Sequence, residues 1–249
     1  MTSVSEFAAM HVPGNPLVLC NIWDAASARI AAEAGAKALA TGSSALAGAL
    51  GFDDAQAIPF DMLIGAVERI QAVSDLPLTV DFEAGYSDDL AGVAENAQRL
   101  TDMGVVGCNF EDQVIGGQGL IETARQAELI AAVAATGLFV NARTDVFLER
   151  LRAGENANDP ELLPEVLERG HAYAAAGAGS FFIPGLSDST LIAVICEKSP
   201  IPVNVMRLPD MASNAALADL SVARISYGPA PWNEAMAAFR RIAEAAYSA

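Results

Sequence analysis

Short apolar runs alternate with stretches in which apolar residues recur every three to four positions, and the alternation repeats eight times along the chain. Each run is bounded by Gly, Pro, Asp or Asn, residues that end regular structure. The runs predict strands over residues 17–21, 38–41, 78–81, 105–111, 138–143, 180–183, 202–206 and 222–226. Between them, Leu90, Val93, Ala94, Ala97 and Leu100 form one helical stripe, and Leu163, Val166, Leu167, Gly170 and Ala174 form another. Strict alternation favours a parallel sheet, because each parallel pair needs a crossover helix. Eight evenly spaced units close into a (β/α)8 TIM barrel, and a chain of 249 residues with one rhythm predicts a single domain over residues 1–249. The competing doubly wound sheet ranks lower, since the first strand-to-helix turn, Asn21-Ile22-Trp23-Asp24-Ala25, lacks a glycine fingerprint for a dinucleotide.

Two segments interrupt the rhythm. Residues 52–60 carry Phe52-Asp53-Asp54 and a proline, and residues 150–160 carry Gly154, Asn156, Asn158 and Pro160. Both are expected as loops on the strand C-terminal face, where barrels carry their chemistry.

Composition narrows the chemistry. A formal net charge of −17 repels nucleic acid and anionic lipid, so neither is expected as a partner. No basic start followed by an apolar run and a small-residue cleavage site opens the chain, and no apolar stretch approaches membrane-spanning length; the expectation is a cytoplasmic protein. Cys20, Cys108 and Cys196 are widely spaced and read as core filler. The two lysines, Lys37 and Lys198, lie away from the predicted strand ends, which disfavours a Schiff-base aldolase or a pyridoxal-phosphate enzyme. The two histidines, His11 and His171, leave no His-rich zinc or iron site. Any metal must be held by oxygen.

Candidate ligands stand at the strand ends. The third strand runs out through Val80-Asp81-Phe82-Glu83-Ala84-Gly85-Tyr86, and strand alternation would turn Asp81 and Glu83 to the same side. Like charges this close repel unless one is protonated or a cation intervenes. The fourth strand ends Asn109-Phe110-Glu111-Asp112 and adds Glu111. Three acids from adjacent strands suit a hard, octahedral ion such as Mg2+, with Mn2+ as the alternative. Helix capping is the plainer role for such acids and the preferred one for Asp88 and Asp89. The fifth strand ends Asn141-Ala142-Arg143-Thr144-Asp145; Arg143 can take a carboxylate or phosphonate in bidentate fashion, or form an ion pair with Glu111 or Asp145. Thr41-Gly42-Ser43-Ser44 can cradle a substrate carboxylate or form a plain turn. Tyr86 can return a proton to substrate or pack as an aromatic.

Taken in order, Asn21-Ile22-Trp23-Asp24, Leu50-Gly51-Phe52-Asp53-Asp54, Asp81-Phe82-Glu83-Ala84-Gly85-Tyr86, Asn109-Phe110-Glu111-Asp112-Gln113 and Asn141-Ala142-Arg143-Thr144-Asp145 resemble the isocitrate lyase / phosphoenolpyruvate mutase superfamily. The resemblance spans residues 17–145 and implies an enzyme whose Mg2+ binds the 2-oxo acid group of a small substrate and stabilises an enolate. It implies Asp81 as principal metal ligand, with Glu83 and Glu111 acting partly through water. Asp54 falls at a catalytic acid in a mobile loop, Arg143 at a substrate-binding arginine, and Gly42, Ser43 and Ser44 at a substrate-carboxylate loop. Trp23, Asp24 and, on the seventh strand, Asn204 complete the expected substrate-binding set. The family commonly swaps its eighth helix between subunits in a dimer of dimers, so a homo-oligomer, a homotetramer, is implied. Lyases of the family carry a Lys-Lys/Arg-Cys-Gly-His loop after the fourth strand; here it reads Gln113-Val114-Ile115-Gly116-Gly117-Gln118-Gly119-Leu120. The longer gating loop of the mutases and hydrolases is also missing. The expected activity is that of a Mg-dependent lyase or decarboxylase on an oxaloacetate-like 2-oxo acid. Its alternatives are a carbon–phosphorus mutase or hydrolase acting on phosphonopyruvate or phosphoenolpyruvate, and a non-catalytic 2-oxo acid binding protein.

Overall fold

The computed structural model describes residues 3–248 and contains the expected barrel. Its strands are β1 (Leu17–Leu19), β2 (Leu39–Ala40), β3 (Leu78–Asp81), β4 (Gly107–Glu111), β5 (Phe139–Arg143), β6 (Ser180–Phe182), β7 (Val203–Met206) and β8 (Arg224–Ser226). All pair in parallel in the order β1-β8-β7-β6-β5-β4-β3-β2. The remaining seam, between β1 and β2, is closed by a parallel bridge from Ile22 to Thr41. Asn21 ties this seam through its amide, which donates to the Thr41 carbonyl at 2.9 Å, and ties the end of β8 through its oxygen, which accepts from the Gly228 N–H at 2.8 Å.

The helices are α1 (Val4–Ala8), α2 (Ala25–Glu33), α3 (Ser43–Ala49), α4 (Phe60–Gln71), α5 (Leu90–Asp102), α6 (Thr123–Ala134), α7 (Val146–Arg152), α8 (Leu163–Ala175), α9 (Ser189–Lys198), α10 (Asn214–Asp219) and α11 (Ala230–Tyr247). Among the described residues, none is long and apolar enough to cross a membrane. Asp89 caps α5 as expected, its carboxylate accepting from the Gly92 N–H at 2.8 Å. Val93, Ala97 and Leu100 of the predicted stripe are buried, whereas Leu90 in the first turn stays 38% exposed. The interruption at residues 52–59 is a loop; the second is shorter than expected, because α7 runs on to Arg152.

One cluster of the core lies between sheet and helices; a smaller one fills the N-terminal end of the barrel. There α1 acts as a plug. Phe7 packs edge-on against Phe139, and a Cβ at Gly107 would stand 2.7 Å from the Phe139 carbonyl and 3.1 Å from the Phe7 ring, so only glycine admits the plug. Above it the barrel interior is polar. The Ser180 hydroxyl donates to Asn141 (2.6 Å), Asn141 donates to Asn109 (2.8 Å), and the fully buried Arg224 donates to the same Asn109 oxygen (2.9 Å). Such a linked network fixes the strand ends above it.

The cysteines need a correction. Cys108 is buried, but Cys196 is half-buried and Cys20 is exposed. Cys20 follows the outward-facing Val18, itself 40% exposed, on a side of β1 that the described chain leaves partly open.

Candidate active site

A cavity of about 550 Å³ opens at the C-terminal ends of the strands and gathers most of the expected residues: Gly42, Ser43, Ser44, Asp54, Asp81, Glu83, Glu111 and Arg143. Asp81 ends β3 and is held at the entrance to α3. One carboxylate oxygen accepts from the Ser43 N–H at 3.0 Å; the other, Oδ1, is buried with no hydrogen-bond partner. The Thr41-Gly42-Ser43-Ser44 segment is thus the start of a helix, not a plain turn, and the Ser43 amide is engaged by Asp81.

Glu83 reaches the cavity by a different route from the expected strand alternation. The strand stops at Asp81, and Glu83 adopts φ +50°, a left-handed conformation that costs a non-glycine residue about 1–3 kcal/mol. Tyr86 at φ +56° and the facing loop residues Ala55 (+63°) and Gln56 (+59°) share that conformation. The cluster is tied together: the Tyr86 hydroxyl donates to Glu83 Oε1 at 2.5 Å, and the Gln56 N–H donates to Oε2 at 2.8 Å. Of these four, Glu83 and Ala55 line the cavity.

Burial sets the electrostatics. It pushes the carboxyl of Asp81 upward against the pull of Arg143, and raises Glu83 to about 7 against the opposing Tyr86 hydrogen bond. Glu111 is pushed well above the usual carboxylate range by the same desolvation, with the Arg143 guanidinium acting the other way. Burial thus penalises the ionised forms of these acids, and a divalent cation beside them would favour those forms. Among the described residues, no three His, Cys, Asp or Glu side chains converge closely enough to ligate one ion together. The unpartnered Asp81 oxygen fits Mg2+ nonetheless, because that ion keeps several waters and binds few carboxylates directly. Glu83 and Glu111 would then contact it through water.

Arg143 ends β5 and is clamped on two sides. Its guanidinium meets Glu111 at 2.5 Å and takes Asp145 in a bidentate pair at 2.5 and 2.7 Å. Asp145 is in turn fixed by its own N–H, which donates to Asp112 at 2.9 Å.

Four expected residues are not part of the cavity wall. Trp23 and Asp24 line a separate hollow between α2 and α4: the indole packs edge-on against Trp232, and the Asp24 carboxylate caps α2 through the Ser27 N–H at 2.7 Å. Asn204 is fully buried two residues below the cavity-lining Met206, donating to the Ser226 hydroxyl at 3.2 Å. The Tyr86 ring packs among Phe60 and Phe82 with its hydroxyl turned to Glu83 rather than to backbone, so it touches the site only through that acid. Conversely, Asn21, Asn109, Gln113 and Arg152 line the cavity without a role expected of them there, although the first three stand within the ordered motifs. The first three are uncharged, and Arg152 lies seven residues past Asp145, at the end of a helix that the strand pattern does not announce. The loop at residues 113–120 folds back on itself through a Gln113–Leu120 bridge and presents only Gln113 to the cavity.

The chain is similar to several known proteins in both architecture and sequence. The crystal structure of a candidate phosphonomutase from Burkholderia cenocepacia J2315 superposes with a TM-score of 0.91 at 42% identity, covering 97% of this chain and 99% of that one. An uncharacterised protein of Mycobacterium tuberculosis is 30% identical over 96% of this chain and 88% of its own length. An oxaloacetate decarboxylase of Pseudomonas savastanoi pv. phaseolicola is 28% identical over 94% of this chain and 81% of its own. The family model described as phosphoenolpyruvate phosphomutase matches residues 7–247, and the chain belongs to that family.

Proposed function

We propose that the protein is a Mg2+-dependent enzyme that cleaves a carbon–carbon bond in a small 2-oxo acid, as a lyase or decarboxylase. The observation that carries this reading is the buried, unpartnered Asp81 oxygen in a cavity that Glu83 and Glu111 also line, with Arg143 the guanidinium beside them. A bound Mg2+ supplies Lewis-acid stabilisation of the negative charge that develops on the 2-oxo oxygen. Asp81 would hold the ion directly, and Glu83 and Glu111 would orient its waters. Arg143, clamped by Glu111 and Asp145, keeps a fixed positive charge beside them. Asp54, exposed on the 52–59 loop yet part of the cavity wall, is the acid placed to contact substrate from the open side. A water held by Glu83, whose Oε1 accepts from the Tyr86 hydroxyl, would supply the proton to the carbon left by the broken bond.

The 113–120 hairpin favours this chemistry over reactions that need a dedicated acid there, since it contains no Cys, Lys or His. The similarity to an oxaloacetate decarboxylase points the same way. The 42% identity to a candidate phosphonomutase favours a second reading, carbon–phosphorus chemistry on phosphonopyruvate. Against it, neither Lys37 nor Lys198 lines the cavity to help neutralise such an anion.

Purified protein incubated with Mg2+ and, separately, oxaloacetate, 2-methylisocitrate and phosphonopyruvate separates the readings. Pyruvate from oxaloacetate or 2-methylisocitrate above the free-metal background, or oxalate from oxaloacetate, supports carbon–carbon cleavage; phosphate or phosphoenolpyruvate from phosphonopyruvate supports the second reading; and binding without product indicates a 2-oxo acid sensor. Asp81→Ala is expected to lower Mg2+-dependent turnover by about a thousandfold, the equivalent of several kcal/mol of lost charge stabilisation. Full activity with unchanged metal affinity in that variant would sink the proposal.

A further inference from the structure

Beyond the acids and Arg143, the cavity wall contains a second arginine to which the reading above assigns nothing. Arg152 is the last residue of α7 and its side chain is 47% exposed, against 11% for Arg143. The two guanidiniums differ in how completely they are engaged. Arg143 is taken by two carboxylates at 2.5 Å each. Arg152 rests on a neutral oxygen, Gln113 Oε1, at 3.0 Å, with a longer 3.4 Å approach to an Asp145 oxygen that Arg143 already binds at 2.7 Å. A hydrogen bond to a neutral amide oxygen is about half as strong as one to a carboxylate, so an incoming carboxylate displaces Gln113 readily. Neither lysine and neither histidine of the chain lines this cavity, so Arg152 is the cation there with donors to spare.

We infer that Arg152, resting on Gln113, reads a second carboxylate on the substrate, remote from the end that meets Asp81. The inference rests on the 2-oxo acid reading and narrows it to dicarboxylates.

The test is calorimetric binding in the presence of Mg2+ with two probes: oxalate, which offers only the metal-binding end, and 3,3-difluorooxaloacetate, which adds a remote carboxylate. Arg152→Gln is expected to bind oxalate within twofold of the wild type and difluorooxaloacetate about ten- to hundredfold more weakly. Arg152→Lys is expected to restore part of the loss, since an ammonium supplies the charge without the fork. Equal weakening of both probes would make Arg152 a structural residue and overturn the inference. So would unchanged binding of both, or a wild type that binds oxalate but not the longer probe; each of these leaves the proposed function standing. A wild type that binds neither probe overturns both. Thermal melting of each variant confirms that it is folded before binding is measured.

Discussion

Asp112 follows Glu111 directly, yet it serves a different part of the molecule. It has no exposed surface, and three groups from two segments converge on its carboxylate: the Asp145 N–H at 2.9 Å and, from α8, the Tyr173 hydroxyl at 2.7 Å and the Arg169 guanidinium at 3.1 Å. Through Asp145 it positions Arg143, and through Arg143 it positions Glu111. A run of two acids at a strand end cannot announce such a division of labour, because the partners arrive from residues 145, 169 and 173. Removing one member of a buried ion pair leaves the other charge uncompensated, at a cost of about 3–5 kcal/mol. Asp112→Ala should therefore lose about that much in urea unfolding and also lower turnover, whereas Asp112→Asn, which keeps an acceptor for the Asp145 N–H, should lose less. An Asp112→Ala protein within about 1 kcal/mol of the wild type would show that the network is dispensable.

At the level of elements, the eight strands and their order were legible, because apolar runs punctuated by turn residues report directly on a sheet buried on both faces. The acids at the ends of β3 and β4 were legible for the same reason. What escaped depends on backbone geometry that no period encodes: the left-handed Glu83, the helix begun by Ser43, and the α7 terminus that delivers Arg152. The α1 plug is a further case. His11, beyond α1, stacks on Phe139 with centroids 4.4 Å apart, and its Nδ1–H donates to the Phe7 carbonyl at 3.0 Å. Burial, reinforced by the nearby Arg224 charge, lowers its pKa from 6.5 to about 3. The native state thus holds His11 neutral while the unfolded chain protonates it below about pH 6.5, so the unfolded state binds one more proton in that range. Stability from this group is intact above pH 6.5 and falls as the pH drops toward 3, by about 2 kcal/mol between pH 7 and pH 5. Glu83, whose folded value is raised instead, acts in the opposite direction, so the informative quantity is the difference between wild type and His11→Asn, which keeps a donor for Phe7 but cannot ionise. Urea unfolding at both pH values should show the variant losing about 2 kcal/mol less than the wild type; parallel losses would mean that His11 is protonated in the native plug.

For the molecule as a whole, the outer coat of the barrel is incomplete. The last helix, α11, runs for 18 residues without burying one of them. Met236, Phe239 and Ile242 fall three apart on that helix at 39%, 66% and 68% exposure, while Val18 and Cys20 beside β1 and Ile30 on α2 (66%) are uncovered as well. An apolar stripe on one helix and an uncovered strand in the same chain are complementary needs, and such surfaces mark association sites. The expected arrangement is the one that the family resemblance implies, in which α11 of a second copy lies over the part of the barrel that this copy leaves bare. The net charge of −17 opposes association, and salt screens that repulsion, so the oligomer should tighten as ionic strength rises. Light scattering after size exclusion is expected to give a multiple of the 25.8 kDa chain mass. Phe239→Glu combined with Ile242→Glu should reduce it to the single-chain mass. Cys20 supplies a second readout on the surface itself: if the partner helix covers it, a maleimide should label it slowly in the wild type and rapidly in the double variant. A wild type that elutes at single-chain mass at micromolar concentration, with Cys20 labelled at the same rate in both proteins, would mean that the exposed stripe of α11 has another occupant than a second copy of this chain.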